Sequence, residues 1–191
     1  MWLALIILCA AVGYAVVTYN SLIALRNRAR DAWSDIDVQL KRRHDLIPNL
    51  VAVVQGYATH EKTVFEDVAR LRAKAMELQS GVQRADAEDQ LSTVIKSLFA
   101  VAESYPELKA DKNFRQLQSE LAEVEDHIQY ARRYYNAVVR DLNTKCETFP
   151  SGLIASLFGI GKLPYFQADE ESRQPVRVDL SEDKSDENPN A

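Results

Sequence analysis

The chain has 191 residues, 47% of them hydrophobic and 27% charged, with only six glycines and six prolines. That composition fits one globular, helix-compatible domain with extensions, and excludes a disordered, fibrous or turn-rich strand fold. The net charge of −5 falls entirely within residues 166–191, where eight acids face three bases. The remaining body is neutral, so it offers no electrostatic footprint for nucleic acid.

Trp2 to Val17 contains no charge, and Thr18 and Tyr19 extend the run to eighteen residues. As a helix this is about 27 Å long, close to the roughly 30 Å of a bilayer core. Its eight Leu, Ile and Val residues favour insertion by at most about 4 kcal/mol. Residues 1–19 are therefore expected to be a transmembrane anchor, with Trp2, Leu5 and Ile6 in contact with lipid. A cleaved signal peptide is the weaker reading, because no basic residue precedes the run, although Gly13-Tyr14-Ala15 resembles a cleavage site. A lipid-modified Cys9 fits less well still, since bulky Leu8 precedes it. Arg26, Arg28 and Arg30 follow the run, so the positive-inside rule puts the N-terminus outside and the body in the cytoplasm.

Leu22, Leu25, Ala29, Trp33, Ile36 and Leu40 recur every three or four residues, which predicts a helix continuing from the anchor to about His44. Pro48 predicts a turn at residues 45–47 and a new helix from 48 to 78; a kinked continuous helix is the alternative. Ser80-Gly81 is a stop signal for that second helix. A third helix is expected over 86–104, ended by Pro106. Asp111 is a candidate N-cap for a fourth, whose apolar residues from Phe114 to Leu142 follow a heptad rhythm. The fold class is thus all-α: an N-terminal transmembrane helix continuing into an antiparallel bundle of long helices over 20–165. Residues 166–191 form an acidic tail, with disorder expected from Ser181 onward.

Antiparallel helices joined by short turns return the fourth helix to the bilayer. This places the apolar segment 151–160 near the headgroups, with Leu153, Ile154, Leu157 and Phe158 as a second candidate membrane contact; packing against the bundle is the alternative. The same path puts Lys41, Arg42, Arg43, His44 and Asp45 at the far end, as cations at a helix C-terminus or as a docking point for an acidic protein partner. Because helices two and four exceed thirty residues and helix three does not, part of their apolar stripes is expected to remain open for a second copy.

Nothing in the sequence assembles a catalytic, cofactor-binding or metal-binding motif. Neither H-E-x-x-H nor E-x-x-H occurs, and no phosphate-binding glycine loop is present. Glu123 and His127 lie one turn apart, which reads as a surface ion pair. The expected function is a non-catalytic membrane scaffold forming homo-oligomers, or alternatively a tethered adaptor using the distal basic end.

With these residues laid out, the chain resembles the bacterial LemA family. The resemblance rests on Ala32 to Val51 (AWSDIDVQLKRRHDLIPNLV), on Gly56-Tyr57-Ala58 with His60-Glu61, on Tyr105 to Ala110, and on Asn113-Phe114, Tyr134-Tyr135-Asn136 and Phe149-Pro150-Ser151. It implies a helical domain behind one membrane helix, facing the cytoplasm, with no cofactor or catalytic residues to carry over. By analogy with related proteins of magnetosome membranes, it points to membrane organisation.

Overall fold

In the computed structural model, residues 1–78 and 82–166 are described, and among them every regular element is a helix. The elements are α1 (Trp2–Gln55), α2 (Lys62–Glu77), α3 (Val82–Glu103), α4 (Pro106–Ala110), α5 (Lys112–Glu147) and α6 (Ser151–Leu157). The all-α expectation is met. The stop signal at Ser80-Gly81 and the acidic tail from Gln167 lie outside the described residues.

The first 54-residue helix changes character along its length. Residues 1–17 are exposed on nearly every side, and the first buried positions are Thr18 and Leu22. Beyond them a stripe of Leu22, Ala29, Ala32, Ile36, Leu40, Ile47, Leu50 and Val54 is buried against the other helices. Among the described residues, α1 is the one helix long and apolar enough to cross a membrane.

The turn expected at residues 45–47 does not form; α1 runs on through Pro48 to Gln55. A proline inside a helix deprives the carbonyl four residues earlier of its donor, at a cost of about 3 kcal/mol if nothing compensates. Here that carbonyl belongs to His44, and the Arg72 Nε of α2 donates to it at 2.9 Å. An arginine from a neighbouring helix thus replaces the missing amide and keeps the helix continuous. Arg72→Ala is expected to lower stability by about 1–2 kcal/mol, the cost of a buried acceptor left open. Chemical denaturation in detergent would measure it.

The second predicted helix is accordingly split. Leu50, Val51 and Val54 belong to α1, the chain reverses over 56–61, and α2 has only 16 residues. The third helix is present as α3. Pro106 follows it and opens the short α4 rather than simply ending the run. Asp111 caps α5 as expected, its carboxylate accepting from the Phe114 amide at 2.9 Å.

α5 returns antiparallel along the outer length of α1. Trp33 meets Tyr135 with ring centroids 5.3 Å apart, and Lys145 near the end of α5 bonds to the Ser21 hydroxyl near the start of the packed region. The heptad stripe of α5, including Phe114, Leu121, Val124, Ile128, Tyr135 and Leu142, is buried. The α2–α3 hairpin covers the outer half of the core, from Ile47 to Val54. The open stripes expected for a second copy are therefore filled by the chain's own packing. The length argument fails because α2 is half the length assumed.

Candidate functional site

Two regions gather the residues singled out by sequence: the middle of the bundle and its end nearest the apolar run of α1. In the middle, Arg43 of α1 is only 1% exposed. Its guanidinium bonds to the Glu88 carboxylate and the Ser92 hydroxyl of α3, donates to Glu125 of α5 at 2.9 Å, and reaches the Glu88 carbonyl at 3.2 Å. His44 Nε2 lies 3.2 Å from the same Glu88 carboxylate. Flanking pairs extend the network: Arg84 to Asp37 at 2.8 Å and Arg132 to Asp89 at 2.7 Å.

Burial alone would raise the pKa of Glu88. The hydrogen bond from His44 and the charge of Arg43 outweigh it and hold the carboxyl below its ordinary range. Glu125 behaves alike: burial opposes ionisation, and Arg43 together with Gln129 overcomes it. Three helices are tied here by charges that would be costly to bury unpaired.

Of the expected docking cluster, Arg43 and His44 point into the bundle and lie about a dozen residues before the end of α1. Lys41, Arg42 and Asp45 stay at the surface, with Arg42 Nη2 3.9 Å from Glu123. Sequence reasoning missed Glu88 and Glu125 as partners. A signal existed: Arg43 occupies the stripe position between Leu40 and Ile47, and Glu88 lies one turn before Leu91 on the buried face of α3.

The chemistry available is limited. A cleft of about 220 Å³ opens beside the network, lined by Arg43, Ser92, Ile95, Phe99, Leu121 and Glu125 among others. Ser92 spends its hydroxyl on Arg43 and Glu125. His127 pairs with Glu123 at 3.5 Å on the surface. No group of three His, Cys, Asp or Glu suited to a metal ion occurs among the described residues. Cys9 and Cys146 are both free thiols.

At the end nearest the apolar run, α6 folds back on the α1–α5 pair. Gly152 permits this, because a Cβ there would stand 2.8 Å from the Cys146 carbonyl oxygen. Gly159, at φ +64°, then turns the chain so that Ile160 packs inward. Residues 160–166 run as a strap along α5. Asn143 pairs both ways with the Leu163 backbone, and Asn136 does the same with Phe166, at 2.8–2.9 Å. Of the predicted membrane contacts, Leu153, Leu157 and Phe158 are exposed, whereas Ile154 leans on the core formed by Leu22 and Leu142. Trp2, Leu5 and Ile6 are exposed on the apolar run.

Comparison with known proteins places this architecture. The profile described as LemA family matches residues 32–180. Protein LemA of Metamycoplasma hominis is 28% identical over 164 residues, covering 85% of this chain and 74% of its own length. Magnetosome protein MamQ 2 of Paramagnetospirillum magneticum is 22% identical over 193 residues, covering 87% of this chain and 71% of its own. Magnetosome protein MamQ of Magnetospirillum gryphiswaldense is 21% identical over 195 residues, with 88% and 72% covered.

Proposed function

The chain belongs to the LemA family, and from that premise we propose that it is a non-catalytic, membrane-anchored scaffold that self-associates at the cytoplasmic face of the bacterial inner membrane. The observation that carries the reading is α1 itself. One unbroken helix is bare and apolar from Trp2 to Val17 and buried on one face by its own bundle thereafter. Such a helix is built to hold a rigid domain against a bilayer. Arg26, Arg28 and Arg30 favour the cytoplasmic side for that domain. The likeness to magnetosome proteins supports a membrane-associated helical protein, and the charge network, whose members are spent on one another, fits a non-catalytic one.

Because the heptad stripes are filled internally, contact between copies falls to what α5 leaves outside. Tyr130 and Tyr134 lie one turn apart on its outer face, 66% and 46% exposed. Exposed aromatics at i,i+4 supply contact area at little entropic cost. Light scattering of the full-length protein in mild detergent should give a mass above one copy. Tyr130→Glu with Tyr134→Glu should reduce it to one copy without moving the melting temperature. A wild-type protein that is strictly monomeric would overturn the proposal.

A further inference from the structure

The α6 region presents an apolar face that the bundle does not use. Ala155 and Ile160 are buried against Leu22 and Leu142. On the other side Phe149 is 83% exposed, Leu153 65%, Leu157 80% and Phe158 54%. Four large apolar side chains in ten residues differ from the singly scattered ones on the rest of the body.

Their place in the fold names what covers them. The Phe158 ring lies 4.6 Å from that of Tyr19, two residues past the end of the bare apolar run of α1. Whatever solvates the last turn of that run also meets Phe158. At the same end of the bundle Ser21, Arg28, Asp141, Thr144 and Lys145 line an open notch of about 420 Å³ between α1 and α5, with two cations to one acid.

We propose that Phe149, Leu153, Leu157 and Phe158 insert into the headgroup–acyl boundary of the bilayer that α1 crosses, with Arg28 and Lys145 facing anionic lipid phosphates. The helix is far too short to span, and a short apolar segment held at the membrane surface lies in the interface. A second copy fits less well. The exposed area of the four side chains is on the order of 500 Å², below the roughly 800 Å² per partner of a stable interface. The inference rests on the anchor reading, and its test separates the two.

The full-length protein, with Cys9→Ala and Cys146→Ser, would carry one nitroxide label at a time at Leu8→Cys, Leu157→Cys or Lys112→Cys. It would be reconstituted in phosphatidylcholine–phosphatidylglycerol vesicles. Collision with oxygen and with a water-soluble nickel chelate reads the depth of each label. The label at 157 should favour oxygen over nickel several-fold, as the label at 8 does, while that at 112, at the distal start of α5, should favour nickel. A label at 157 that favours nickel while 8 remains in lipid overturns this inference and leaves the anchor standing. Labels at both 8 and 157 in water overturn both. Spin–spin broadening at 157 would mean that a second copy covers the face, and would also overturn it.

Discussion

Glu88→Ala should lower the stability of the folded domain by about 3–5 kcal/mol, the range for removing one partner of a buried ion pair. The Glu88 carboxylate is fully buried and holds both Arg43 and His44. Its removal leaves the Arg43 guanidinium inside the bundle with Glu125, Ser92 and the backbone carbonyl of residue 88. The double variant Arg43→Met with Glu88→Leu should recover most of the loss, since two apolar groups of similar volume satisfy each other. Denaturant titration of the full-length chain in micelles measures both. A Glu88→Ala loss below 1 kcal/mol would show that the network carries little of the fold's stability.

The same network sets the response to acid. Glu88 and Glu125 have folded pKa values lowered from the ordinary 4.5. A carboxyl with a depressed folded pKa contributes stability that is fully present above its unfolded pKa and is lost as pH falls through the folded value. The wild-type midpoint should therefore hold steady on the acid side down to about pH 4.5 and decline below it, and Glu88→Gln should flatten that decline.

Leu8→Asp combined with Val12→Asp should move the protein from the membrane to the soluble fraction. Each aspartate at the centre of an inserted helix costs about 2.5–3.5 kcal/mol, so the pair outweighs the roughly 4 kcal/mol that the whole apolar run supplies. Folding should be unaffected, because residues 8 and 12 are exposed and the buried stripe begins at Thr18 and Leu22. Fractionation at alkaline pH with a parallel thermal melt reads both outcomes. Retention of the double variant in the pellet would mean that α1 is not what holds the chain to membranes.

Much of this architecture was legible in residue spacing. The apolar N-terminal run, the stripe from Leu22 to Leu40, the Asp111 cap and the long α5 all appear as local patterns, because burial on one helix face imposes its period on the sequence. Pro48 misled because its remedy is not local: the donor that replaces its missing amide comes from Arg72, a residue 24 positions later. The basic run at 41–44 misled for a related reason. Charges are normally solvated, and only the stripe register of Arg43, read together with that of Glu88, reveals that two opposite charges share one interior position on different helices. The α6 face was legible as an apolar segment, but which of its residues turn inward depends on Gly152 and Gly159. Their role comes from a close approach and a left-handed turn.

The continuity of α1 past Pro48 has a mechanical consequence. With no joint between the apolar run and the tip at Gln55, the outer 36 residues form a lever about 54 Å long. A helix that tilts by about 20° to match a thinner bilayer would carry that tip sideways by roughly 18 Å. On the anchoring proposed above, a change in membrane thickness would thereby be magnified into displacement at the far end of α1.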